Sequence, residues 1–172
     1  MVPWSNRKKM HTRIQIAFIV LFSFAFSSGC DHGLSPEVSD IDPGFGGTLH
    51  IAGNWPPQDS VRDLRVVAFR NYPPKDILSE VINGSAMFSD ELPYGETAIS
   101  YVIQDETLSG SFSYVVVAQN YGEDPFQDWR AVGVYAVTGD ATKPSPVDLG
   151  NGLFIDGVDI TVDFYDLPPQ PF

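Results

Sequence analysis

Val158, Ile160, Val162 and Phe164 share one parity of the chain, and Asp159, Thr161 and Asp163 share the other. Alternation with a period of two puts each set on one face of a pleated strand. Residues 158–164 therefore read as a strand with one face in a core and one in water. Five further stretches are short and rich in Val, Ile, Tyr, Phe and Thr: residues 48–52, 64–70, 98–104, 112–119 and 131–138. Residues 77–82, 86–88 and 147–149 are weaker strand candidates, and 76–81 also fits one helical turn capped by Asp76. The run 112–118 is apolar on both parities, which predicts a central strand covered on both sides, or on one of them partly by a loop. Turn residues bound these pieces: Gly53-Asn54, Tyr72-Pro73-Pro74, Asn83-Gly84, Ser109-Gly110, Gly122-Glu123-Asp124-Pro125, Gly139-Asp140 and Asn151-Gly152. This spacing predicts an all-β domain, a sandwich or barrel of antiparallel strands.

The start of the chain follows a different pattern. Arg7, Lys8, Lys9 and Arg13 precede the 13-residue run from Ile14 to Phe26, which only Gln15 and Ser23 interrupt. Ser27, Ser28 and Gly29 follow, and then Cys30, the sole cysteine. A basic region, an apolar region and small residues at a cut site make a secretory signal. The apolar run is too short for a helix across a bilayer core, which needs roughly 20 residues. Gly29-Cys30 resembles the lipobox of bacterial lipoproteins, although Ser27 stands where that family usually has Leu. The resemblance implies that Cys30 is acylated, that the signal is cut before it, and that the protein is membrane-anchored in the cell envelope, in the inner or the outer membrane. An acylated Cys30 would also leave no free thiol in an oxidising compartment. Met10 is an alternative start, which would leave Arg13 as the only cation before the apolar run.

Four segments result. Residues 1–29 are the signal peptide, and 30–47 are the acylated cysteine with a flexible tether, polar and without an apolar period. Residues 48–166 form the β-domain, large enough for one core. Residues 167–172 are a tail carrying Pro168, Pro169 and Pro171.

Charge narrows the partners. The chain has 10 Lys and Arg against 22 acids. The four signal cations all precede Cys30 and the acids all follow it, so the mature chain keeps six cations and a formal charge of −16. Such a surface repels phosphates, which excludes nucleic acid as an expected partner. Membrane affinity must then come from the acyl chains, and two or more hold stably where one does not.

Catalytic chemistry finds little to stand on. Beyond Cys30 the histidines are His32 in the tether and His50 on the first strand, and neither forms a metal-spaced pair. Ser109-Gly110-Ser111 reads as a turn. Glu123, Asp124 and Asp128 are the best oxygen ligands for a hard cation, but they lack the calcium-loop spacing, and a solvated acidic loop is the simpler account. Trp55, Tyr72 and Tyr94 sit beside prolines in turns. Rings held there either form a shared contact surface for a sugar or protein, or cap the open end of the core.

Residues 47–53 (Gly-Thr-Leu-His-Ile-Ala-Gly) resemble the opening strand of the carboxypeptidase-regulatory-like and transthyretin-like β-sandwiches. Residues 64–69 resemble the strand that follows it, Leu92-Pro93-Tyr94-Gly95 a recurrent turn, and Tyr114-Val115-Val116-Val117 a later strand. The resemblance implies a single antiparallel β-sandwich of about seven strands. It also implies a non-catalytic binding, spacer or assembly module, with no cofactor. A carbohydrate-binding module using Trp55 with Tyr72 or Tyr94 is the alternative, and a small envelope hydrolase a more distant one.

Overall fold

The computed structural model describes residues 42–75, 77–150 and 153–171, and Cys30 with the signal segment lies outside them. Strands dominate: β1 (Gly44–Ile51), β2 (Asp63–Phe69), β3 (Ala86–Phe88), β4 (Ala98–Gln104), β5 (Gly110–Phe112), β6 (Tyr114–Asn120), β7 (Trp129–Val134), β8 (Val147–Leu149), β9 (Phe154–Ile155) and β10 (Ile160–Val162). One six-residue helix, α1 (Ile77–Ile82), lies between β2 and β3. The segment that fitted both a weak strand and a helical turn is thus helical.

Eight strands form one sheet, ordered β3-β2-β6-β7-β10-β1-β4 with β9 beside β1, and β5 and β8 pair as a separate ribbon. The sheet is mixed. β1 runs antiparallel to β4 but parallel to β10 and β9. The expectation of antiparallel pairing throughout is corrected here. Local alternation reports which face a residue takes, and leaves the direction of a remote neighbour open.

The sheet curls. Leu64, Val66 and Ala68 near one edge and Ile99, Tyr101 and Ile103 at the other edge belong to a single buried cluster, together with Phe45, Leu49, Val115, Val117, Ile160 and Val162. The ribbon closes the curl from inside with Phe112, Val147 and Leu149, and the Phe112 ring lies 5.9 Å from that of Phe45. Arg70 ties the ribbon to β2: its guanidinium sits 4.7 Å over the Phe112 ring and donates to the Ser109 carbonyl at 2.9 Å. Each fully buried aliphatic or aromatic side chain contributes about 1.5–3 kcal/mol, so this cluster is the main source of stability.

Four local departures from the expected elements have physical causes. β1 starts at Gly44, inside the stretch read as tether. A Cβ on Gly44, Gly46 or Gly47 would strike the backbones of Ile103, Tyr101 and Val158 respectively, so these glycines admit close neighbours on both sides of β1. The apolar run 112–119 is two strands, because the chain leaves the ribbon at Ser113 and enters the main sheet at Tyr114. β7 stops at Val134, after a bulge opposite Val117 and Ala118, where it was expected to reach residue 138. The regular part of the last strand is only Ile160–Val162. Its alternation still holds: Val158, Ile160, Val162 and Phe164 are all buried. The proline-rich end docks on β7, where the Gln170 side chain accepts from the Ala131 N–H at 2.9 Å and donates to its carbonyl at 3.0 Å.

Candidate functional site

β6 sits between β2 and β7, and both of its faces are covered. Val115 and Val117 point into the curl, while Tyr114 and Val116 join Phe69, Ala86, Ala131 and Val134 in a second cluster on the outer face. Part of that outer face stays open. Val67 and Phe69 of β2, Val116 and Ala118 of β6 and Trp129 of β7 floor a groove of about 250 Å³. Ile77 and Val81 of α1, Phe88 of β3, and Pro125 with Phe126 form its walls.

Two rings on the groove are conspicuously open: Phe126 is 69% exposed and Phe88 51%. Large apolar groups left in water in one patch mark a contact surface more often than isolated ones do. Arg65 supplies the polar edge. Its Nε holds both Asp63 carboxylate oxygens, at 2.8 and 3.0 Å, and its guanidinium lies 5.8 Å from the centre of the Phe88 ring. A paired, ring-stacked Arg keeps the rim polar without placing a free charge in the groove.

The 121–128 loop that presents Phe126 is braced internally. Asp124 Oδ1 accepts the Phe126 and Gln127 N–H groups at 2.8 and 3.2 Å, and Asp128 Oδ2 accepts the Asp124 N–H at 2.8 Å. The Trp129 indole donates to the Pro125 carbonyl at 2.8 Å, and Tyr121 N–H to the Asp128 carbonyl at 2.9 Å. Glu123, the third acid considered as a cation ligand, stands out in water, 3.6 Å from Arg62. The structure thus places Asp124 and Asp128 as loop braces. No group of three His, Cys, Asp or Glu suited to a metal ion occurs among the described residues.

The three loop aromatics divide. Trp55 and Tyr94 meet, with ring centres 4.8 Å apart, and Trp55 also lies 4.9 Å from Phe164 of the core. Their polar tips are engaged: the Trp55 indole donates to the Glu96 carbonyl at 2.8 Å and the Tyr94 hydroxyl to that of Pro56 at 2.7 Å. Trp55 is half-buried over the end of the core, which is the capping arrangement. Tyr72 is elsewhere. It precedes a cis bond to Pro73 and packs 4.8 Å from Tyr114, beyond the Phe69 end of β2, whereas Leu92 just before Tyr94 bonds to Leu64 at the other end. A β2 of seven residues separates the two places by roughly 20 Å. The expectation of one shared surface is therefore corrected: strand β2 holds Tyr72 away from the pair. Tyr72 instead lines a cavity of about 520 Å³ with Arg70, Lys75 and Glu80, whose buried Oε2 has no hydrogen-bond partner among the described residues.

Of the groove residues, Phe126 and Trp129 stand out in the sequence as aromatics beside a predicted turn, whereas the apolar residues of β2, β6 and α1 were not singled out. β6 is apolar on both parities, which means two covered faces, and only one can face the main core; on β2 that second parity is apolar only at Val67 and Phe69. Comparison with protein-family models, with curated proteins and with solved structures returned no match.

Proposed function

We propose that this chain is a lipid-anchored, non-catalytic protein of the bacterial cell envelope, a binding and assembly module whose outer-face groove receives an apolar group. The observation that carries the binding role is the groove itself: an almost wholly apolar lining, with Phe126 and Phe88 left open to water. The anchoring role rests on the basic, apolar and small-residue order that ends at Cys30. A mature charge of −16 supports this division of labour, since the folded part has no affinity of its own for anionic headgroups. The resemblance to transthyretin-like and carboxypeptidase-regulatory-like domains carries the same non-catalytic reading. In that reading the domain is a curled variant of such a sandwich, with the β5–β8 ribbon as its second layer.

Two measurements test the proposal. Radioactive palmitate labels the wild-type chain and leaves Cys30→Ala unlabelled; equal labelling of both removes the anchor. An apolar fluorescent dye that accepts energy from Trp129 binds the wild-type protein and is lost in Phe126→Asp, while the melting temperature stays nearly unchanged. Dye binding that survives Phe126→Asp removes the groove from the reading.

A further inference from the structure

β4 (Ala98–Gln104) is an edge strand with a hydrogen-bonding partner on one side only. Its register with β1 shows which of its backbone groups are used. Ile51 N–H bonds to the Thr97 carbonyl and Asp105 N–H to the Pro43 carbonyl, so the hydrogen-bonded pairs between those ends are Leu49 with Ile99, Gly47 with Tyr101 and Phe45 with Ile103. The N–H and C=O groups of Ala98, Ser100, Val102 and Gln104 therefore point away from the sheet. No strand lies against them among the described residues. The side chains of all four are exposed.

Natural edges are normally blunted by Lys, Pro, a bulge or short length. The opposite edge follows that rule, since β3 has three residues. β4 does not. Its seven residues carry no charge, no proline and no bulge. Charge is instead placed just past its ends, with Glu96 before it and Asp105 and Glu106 after it, all exposed. Asp105 is held ionised, because its carboxylate accepts from the Thr107 hydroxyl and N–H, which lowers its pKa.

We propose that the free edge of β4 binds an extended peptide segment that adds a strand to the sheet, uncharged along its middle and with Lys or Arg at both ends. The backbone groups of Ala98, Ser100, Val102 and Gln104 supply the hydrogen bonds, as in other cases of strand addition. The flanking acids set the specificity: cations opposite Glu96 and Glu106 in an antiparallel partner are attracted, and anions there are repelled. A second copy of this chain fits worse. Antiparallel self-pairing centred on Tyr101 places Glu96 of each copy opposite Glu106 of the other, with two acidic molecules brought together. This site lies on a different part of the sheet from the β2–β6–β7 groove and does not depend on it.

The test uses the full-length chain in non-ionic detergent and a fluorescein-labelled peptide, Lys-Val-Thr-Val-Thr-Val-Thr-Val-Thr-Val-Lys, whose three central Val residues fall opposite Ile99, Tyr101 and Ile103 when its Lys ends face Glu96 and Glu106. Fluorescence anisotropy is expected to show saturable binding, weakened tenfold or more when Glu replaces both Lys residues, and protection of the β4 amides from hydrogen exchange. Val102→Pro removes one outward N–H and no bond to β1, and is expected to weaken binding tenfold or more with an unchanged melting temperature. Should that variant fail to fold, the same loss is expected for wild-type protein with a peptide N-methylated at the amides that face β4. Equal affinity for Lys-ended and Glu-ended peptides, or binding indifferent to both Val102→Pro and N-methylation, overturns the proposal. So does a wild-type dimer in sedimentation that Val102→Pro converts to monomer, which would make a second copy the occupant.

Discussion

The hydroxyl of Tyr101 donates a 2.6 Å hydrogen bond to the carbonyl of Val158, across the strand that separates them. Tyr101 lies opposite Gly47 in the β1–β4 register, and a Cβ on Gly47 would strike the Val158 backbone. The missing side chain is what lets the tyrosine on β4 reach the approach to β10. Next to Val158 in the chain, the Asp159 carboxylate accepts the Thr48 N–H at 2.8 Å. Residues 158 and 159 are thus clasped to the β1–β4 pair by a phenol from β4 and a carboxylate on β1.

Tyr101→Phe is expected to lower stability by about 1–3 kcal/mol, because a buried carbonyl loses its donor. Gly47→Ala is expected to cost at least as much, since the new methyl meets backbone that has no room to move. Urea denaturation of each variant checks both. A Tyr101→Phe variant as stable as wild type would mean that water replaces the phenol.

Ile160→Ala is expected to cost about 2–5 kcal/mol through the cavity it leaves beside Leu49 and Val162. Asp163→Asn is expected to stay within roughly 0.5 kcal/mol. Asp163 is half-buried and its Oδ1 accepts from Tyr165 and Asp166, yet an amide oxygen serves those two N–H groups as well. Comparable losses in the two variants would assign the wrong face to the core.

Alkaline pH should unfold the protein. Burial, with Asp159 and Tyr135 adding to it, pushes the Tyr101 phenol above its ordinary value of 10.0, and burial with Tyr72 does the same for Tyr114. The sign follows from linkage: above pH 10 the unfolded chain releases these protons and the folded chain keeps them, so rising pH favours unfolding. The contribution of these two phenols to stability is expected to be constant below pH 10 and to fall above it. In an ultraviolet titration, the two buried phenols should ionise together with the loss of circular dichroism. Their ionisation in a still folded protein would refute the assignment.

The 121–128 loop should respond to its braces and ignore calcium. Asp128→Ala removes the acceptor of the Asp124 N–H and is expected to cost about 1 kcal/mol. It should also shift Trp129 fluorescence, since that indole is tied to Pro125. Millimolar calcium is expected to leave the melting temperature unchanged in wild type and variant. A calcium-dependent rise in wild type alone would restore the acids as ligands.

Local patterns were read well wherever one face meets the core. Val158 to Phe164 alternate in the sequence and are buried as the alternation requires, because side-chain direction in a strand depends on parity alone. Ala86–Phe88 and Val147–Leu149 emerged as strands within the bounds their composition suggested. Gly44, Gly46 and Gly47 misled, because glycine chosen for close backbone approach has the same composition as glycine in a tether. Ser113 misled for a related reason: apolar residues continue on both sides of a point where the chain changes sheets. The parallel pairing of β1 with β10 left no local trace. The groove was half legible, since the double-sided apolar character of β6 announced a second covered face but not the gap between α1 and the 121–128 loop.

The clasp between Thr48 and Asp159 joins residues 111 positions apart. During synthesis β1 meets its antiparallel neighbour β4 early, but its parallel neighbour β10 only after β2 to β9 have been made. Contacts of such long range are slow to form, and they make the last strand the gatekeeper of the first. A nascent chain that stops short of Ile160 therefore has nothing to occupy the β10 side of Leu49 to Ile51, and the core stays open there until β10 has been made.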